Sequence, residues 1–314
     1  MSFYARLIAR TPKFDFVGKR MVAFALTAFL IVGSFVSIGV RGFNFGIDFA
    51  GGILIEVQSV NGPADIAQMR STLGGLGLGE VSLQQFGETG RDVMIRVQKQ
   101  EGEEKAQMAA LSRIKDTLGT AFDYRRVEIV GPKVGDELKR DGVLAVGLAV
   151  LAIAAYVWFR FEWQFGVGAL IATFHDVILT FGFFSITGLE FNLTSVAAIL
   201  TIAGYSINDT VVIYDRVREN LRKYKSLSIY ELLNLAVNET LARTILTVAT
   251  VFVTVVSLLV LGGEVLHGFA AAMLLGLVVG TFSSMYVALP VLIYFKIRVG
   301  KDRDEAEAAV EAAP

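Results

Sequence analysis

The chain has 314 residues, 54% of them hydrophobic and 19% charged, with a mean hydropathy of +0.57 and a net charge of −1. A soluble chain of this length is markedly more polar, so the charges must be gathered between apolar runs, and the near-zero balance carries no signal of nucleic-acid binding. There is no Cys and only two His, His175 and His267, which excludes disulfides, thiolate metal sites and a His-rich zinc site; with no G-x-x-x-x-G-K-[ST] loop and no G-x-S-x-G elbow, neither a P-loop nor a nucleophile elbow is supported, and no cofactor or metal is expected.

A membrane helix needs roughly 20 mostly apolar residues. After a basic segment, 1–20, the first such run is 21–40. It is longer than the apolar core of a signal peptide and no A-x-A cleavage site follows it, so a membrane span is the favoured reading over a cleaved leader.

Residues 41–142 read as a small folded domain. Ile53, Ile55 and Val57 alternate with Leu54, Glu56 and Gln58, a strand pattern, and 64–76 has helical spacing through Ile66, Met69 and Leu73. Two further strands, 81–86 and 93–97, flank a Gly-containing turn at 87–90. A second amphipathic helix over 103–118 and a last strand over 124–130 complete a βαββαβ order, the ferredoxin-like pattern. No catalytic constellation accompanies it, so a binding or mechanical role is expected.

Five more spans follow, at 143–159, 165–186, 193–214, 244–261 and 269–295. Between the fourth and fifth, Ser228 and Glu231 form an S-x-x-E capping box, and Ile229, Leu232, Leu233 and Ala236 mark one apolar face of a helix lying at the membrane surface or against the bundle. The loop 215–243 is rich in Lys and Arg, as are the N-terminal segment and the tail 296–314. The loops 187–192 and 262–267 have neither. The positive-inside rule therefore predicts cytoplasmic termini and a periplasmic 41–142 domain. The Ala- and Glu-rich tail is expected to be disordered.

Ionisable residues inside spans are costly and need an account. Asp209 lies about six residues before the charged end of the fourth span, roughly 9 Å inside. Thr201 and Tyr205 share its face, and Ser206, Asn208 and Thr210 widen it into a polar stripe. An interhelical hydrogen bond is one reading, but a neutral Asn or Thr would serve that at lower cost, which favours a titrating role. Arg243, at the start of the fifth span, reads equally as a snorkelling anchor or as a partner for Asp209. His175 and Asp176 sit near the middle of the third span. Being about 100° apart, they are expected to face different neighbours, and relay and structural roles are both open. Gly276, Gly280, Ser284 and Ala288 recur every fourth position in the sixth span, a ridge for close helix packing.

These segments resemble a known family. The run GYSINDTVVIYDR at 204–216, GIDFAGG at 46–52, VGPKVG at 130–135, His175-Asp176, Arg243-Thr244 and GTFSS at 280–284 are similar, in order, to motifs of the SecD/SecF family of protein-translocase membrane subunits, and to its SecF branch in particular. The resemblance implies an α-helical membrane protein forming the six-helix half of a resistance-nodulation-division (RND) bundle, with a small α+β ferredoxin-like periplasmic domain. It implies SecD as the partner supplying the other six helices, an auxiliary role in late preprotein export at the SecYEG channel, and YajC, YidC and the unfolded preprotein as further associates. It implies drive by the proton-motive force, with Asp209 and Arg243 as proton-transfer residues and no enzymatic activity. The alternative is a proton-driven exporter of small molecules or lipids on the same superfold.

Overall fold

The structure is a computed structural model that describes residues 12–87, 89–100, 102, 104–295 and 297. Of the tail 296–314 expected to be disordered, Ile297 is described and packs into the bundle core, and the rest lies outside the described residues.

Six helices are long and apolar enough to cross a membrane. They are α1 (Arg20–Arg41), α5 (Pro132–Arg160), α6 (Trp163–Thr187), α7 (Leu193–Lys223), α8 (Ile229–Leu261) and α9 (Gly263–Ser283), the last continued by a π turn at Ser284–Ala288, a short α10 (Leu289–Val291) and a 3₁₀ turn at Leu292–Phe295. Helices are the solution because each satisfies its own backbone where no water can.

Several helices outrun their apolar cores. The helix of the second span starts at Pro132 rather than 143, because Pro is preorganised at N1 and Gly131 takes the N-cap. The amphipathic helix expected between the fourth and fifth spans is not a separate element. Ser228 and Glu231 do form the capping box, but α8 then runs unbroken into the fifth span. Its first turns bury Leu232, Leu233, Ala236 and Val237 against the bundle, so nothing ends the helix before the membrane. The expected loop 262–267 shrinks to a corner at Gly262 and Gly263, the latter at φ 70°.

Between α1 and α5 lies the α+β domain. After a short α2 (Ile47–Ala50) come β1 (Gly52–Ser59), α3 (Ile66–Gly74), β2 (Val81–Phe86), β3 (Asp92–Gln98), α4 (Glu104–Leu118) and β4 (Phe122–Val130). The sheet is antiparallel in the order β2-β3-β1-β4, the ferredoxin-like topology. Ile53, Ile55, Val57, Val93, Ile95 and Val97 point at Leu73 and Ile114 of the two helices and form the domain core. The opposite sheet face carries Glu56, Met94, Arg96, Arg126 and Glu128. It looks onto the bundle across a polar cavity of about 360 Å³.

The two glycine motifs meet where domain and bundle join. A Cβ on Gly135 of α5 would lie 3.2 Å from the Phe49 carbonyl and 3.3 Å from the Gly51 nitrogen, so VGPKVG packs its backbone onto GIDFAGG. Asp48 of α2 accepts from the Leu193 N–H at 2.9 Å, and Asn192 from Ser195 N–H at 3.1 Å, so two side chains cap α7.

The bundle holds two apolar clusters, one nearer the domain (Phe184, Ile199, Ile202, Met273, Leu277) and one at the far end (Phe165, Tyr214, Leu233, Leu289). A belt of buried polar residues from α6, α7 and α9 lies between them.

Candidate proton-handling site within the bundle

Polar side chains in the belt come from three helices and pair across them. Asp176 is fully buried. Its Oδ1 lies 2.8 Å from His175 Nδ1, and its Oδ2 accepts from Ser283 Oγ at 2.8 Å and from Ser206 Oγ. The expectation that His175 and Asp176 serve different neighbours is therefore incorrect. α6 is enclosed on every side that carries them, so both point inward and they bond each other. Just beyond, Thr210 Oγ1 and Ser284 Oγ are 3.0 Å apart, and Ser284 also donates to the Gly280 carbonyl at 2.8 Å.

Asp209 is 6% exposed, low enough that its carboxylate depends on protein partners. Thr244 of α8 donates to its Oδ1 at 2.8 Å, while Oδ2 has no partner among the described residues. Arg243, one residue earlier, makes no ion pair with Asp209. It is exposed and lines a polar cleft of about 730 Å³ at the far end of the bundle with Asn208, Asp215, Glu239 and Arg160. The structure thus brings Thr244, not Arg243, to the carboxylate. The cleft reaches Asn208, the residue beside it.

The rest of the predicted stripe divides. Ser206 and Thr210 are buried in the belt. Thr201 is exposed and donates to its own helix at the Ala197 carbonyl, 2.7 Å, and Tyr205 is half-buried against the domain-side cluster. Thr201 and Asp209 do not meet. Gly276 and Gly280 are where α9 crosses α7: a Cβ on Gly280 would lie 3.2 Å from Ser206 Cβ, and one on Gly276 would collide with Ile202. The packing ridge and the polar belt are one interface, since close approach at Gly280 lets Ser283 and Ser284 reach Asp176 and Thr210. Ser283 and Thr244 enter the sequence reading only within the GTFSS and Arg243-Thr244 motifs, with no role of their own. Each is a common hydroxyl beside a more conspicuous residue.

A six-helix half-bundle with one ferredoxin-like domain inserted after its first helix defines the class. Residues 110–298 match the model of the protein export membrane protein SecD/SecF C-terminal region, and 36–61 match the SecD/SecF GG motif. The chain is 47% identical over 93% of its length to the protein translocase subunit SecF of Rickettsia akari, covering 95% of that protein. It is 48% identical over 92% of its length to the one of Rickettsia rickettsii, covering 94% of it. Its fold is similar to the crystal structure of SecDF, a translocon-associated membrane protein from Thermus thermophilus, with a TM-score of 0.79 and 36% identity over 91% of this chain. It is also similar to a SecDF crystal structure in a super-membrane-facing form, with a TM-score of 0.67 and 34% identity over 96%. The chain spans 39% and 40% of those two solved chains. The chain belongs to the SecD/SecF family. It is a multi-pass inner-membrane protein of RND type with an auxiliary role in Sec protein export.

Proposed function

We propose that this chain is the half of a SecD–SecF unit that takes up a proton at Asp209 and converts it into movement of the α+β domain, using the proton-motive force in late steps of preprotein export. The observation that carries this reading is a carboxylate buried in a span with one oxygen held by Thr244 and the other unpaired. A purely structural carboxylate has both oxygens engaged, as Asp176 does here. In this reading the termini face the cytoplasm, the domain faces the periplasm and the cleft beside Arg243 is the cytoplasmic water path. SecD supplies the other six helices, the SecYEG channel is the site of action, and YajC, YidC and the emerging preprotein are further contacts.

The coupling runs along α7. Asp209 is 16 residues from Leu193, about 24 Å of continuous helix, and Leu193 is held by Asp48 at the root of the domain. A proton on Asp209 weakens its claim on Thr244 and removes a charge that Arg243 can approach, so α7 shifts against α8 and the domain follows. One charge crossing 100 mV supplies roughly 2.3 kcal/mol. A full swing of a two-state element needs about 5.5 kcal/mol. More than one proton per cycle, a larger gradient or a partial swing is therefore required.

The test is Asp209→Asn in inverted membrane vesicles containing SecD and the channel. Expected is normal assembly with loss of gradient-stimulated export, while ATP-driven export persists. Normal gradient stimulation would refute the proposal.

A further inference from the structure

At the end of the bundle beside the domain, five phenylalanine rings enclose a pocket of about 230 Å³. Phe43 and Phe45 follow α1, Phe49 lies in α2, Phe181 in α6, and Phe191 precedes α7. The Phe191 ring is the hub, 5.3 Å from Phe43 and stacked 5.7 Å from Phe49, centroid to centroid. The remaining apolar wall is α5 at Gly142, Val143 and Val146 with Val196 of α7. Gly142 keeps the space open: a Cβ there would already touch Val196 at 3.6 Å and Phe49 at 3.7 Å. Lys139 alone is charged in this lining, and its Nζ sits 4.9 Å from the Phe45 ring centroid. Among the described residues no carboxylate pairs with it, whereas Arg140 has Asp141 at 3.6 Å.

The pocket's depth follows from the sequence around it. The uninterrupted apolar run of α5 begins at Val143, so Lys139, one turn earlier, stands at the membrane–water boundary. Phe181 is six residues from the end of α6, roughly 9 Å below that level. Val143 is 72% exposed, so the pocket opens sideways onto hydrocarbon. An apolar cavity of this kind does not hold water. A polypeptide segment would bring amide groups into a lining with no donor but Lys139 and so leave them unsatisfied. An acyl chain brings none.

We propose that the pocket takes an acyl chain of an anionic phospholipid from the leaflet on the domain side, with Lys139 meeting the headgroup phosphate. The bound chain would wedge α5 against α2 and Phe191, at the joint between domain and bundle.

The test uses the full chain in nanodiscs holding phosphatidylglycerol and phosphatidylcholine in equal amounts, one of the two carrying a photoreactive acyl chain in each experiment. Cross-linked peptides are then mapped. Expected is labelling of 43–49 and 139–146, favouring phosphatidylglycerol about five-fold, the factor that roughly 1 kcal/mol for one lysine at an anionic surface gives. Lys139→Gln should erase the preference and leave the labelling. Gly142→Leu, which fills the pocket with a better helix former, should erase the labelling there while distant labelling persists. Val146→Phe is the second plug should Gly142→Leu reduce folded yield. Equal labelling by the two lipids, labelling indifferent to either plug, or displacement of the label by an added unfolded apolar polypeptide would overturn the proposal.

Discussion

Two buried carboxylates in one bundle are handled in opposite ways. Asp176 is saturated by His175, Ser206 and Ser283, while Asp209 rests on Thr244 alone. Truncating Asp176 to Ala orphans His175 Nδ1 and Ser206 Oγ at about 1–3 kcal/mol each, while Ser283 keeps the Gly280 carbonyl at 3.1 Å, so a large loss of thermal stability in detergent is expected. Ser283→Ala, which removes one donor, should cost about 1 kcal/mol. For Asp209 and Thr244 a double-mutant cycle is the cleaner measurement. Thr244→Val alone strips the carboxylate of its donor and should destabilise more than Thr244→Val in an Asp209→Ala background, where no acceptor is left. A coupling of about 0.5–3 kcal/mol is expected, and additivity would mean the bond contributes nothing. At this scale the acidic residues were legible in the sequence because a charge in an apolar run is conspicuous. Their partners were not. Which of Arg243 or Thr244 faces Asp209 depends on the rotation of α8 about its axis, and 100° separates the two.

At the scale of elements, α9 crosses α7 through Gly276 and Gly280. Gly276→Ala should force Ile202 aside at a cost of about 1–3 kcal/mol, with recovery in Gly276→Ala/Ile202→Ala. Gly280→Ala, with 3.2 Å to Ser206, should be the milder change. Melting temperatures of the purified proteins test the order. The four-residue spacing made this ridge visible beforehand, though not the helix it meets. A second contact had no such pattern. Residues 14–18 are clamped to the start of α8. Asn234 Oδ1 accepts from Phe16 and Val17 N–H at 2.9 and 3.0 Å, Asn238 brackets Phe14 with two bonds of 2.9 Å, and Asp15 binds Tyr230. The Gly18 N–H beside Asp15, with Asn234 next, holds its carboxyl below the usual range. That stabilising contribution is present above the ordinary value and lost as pH falls below it. Asn234→Ala should expose the segment to limited proteolysis while the rest of the chain stays resistant. Two Asn a turn apart on a helix read as ordinary surface residues until the segment they hold is in place.

At the scale of the molecule, one ion pair among the described residues links domain and bundle, Arg96 of β3 with Glu190 before α7, beside the polar cavity. Burial raises the Glu190 carboxyl above its ordinary value of 4.5, with Asp48 and Glu128 adding to it and Arg96 and Arg126 opposing; His267 also lines the cavity. Lifting the domain would return Glu190 to water and its pKa toward 4.5. The docked state therefore binds the proton more tightly, and docking strengthens as pH falls through the interval above the ordinary value. Distances between spin labels at Gln68 and Leu148 should shorten or narrow in distribution from pH 7 to pH 5. Glu190→Gln should hold the low-pH distribution at both. Tighter docking at the higher pH would contradict the burial argument.

Six spans, their order, the βαββαβ domain and the position of Asp209 followed from the sequence by itself. Each rests on a local rule: hydrocarbon demands a long apolar run, a pleated sheet demands alternation, and a buried charge stands out against both. The tertiary structure alone decided that the amphipathic stretch at 229–243 is the start of the fifth span, that His175 and Asp176 bond each other, and that Thr244 rather than Arg243 holds Asp209. It also decided that two glycine motifs, 79 residues apart from Gly52 to Gly131, are the two halves of one joint. Those facts depend on how each helix is turned about its own axis against neighbours distant in the chain, and no local periodicity carries that angle.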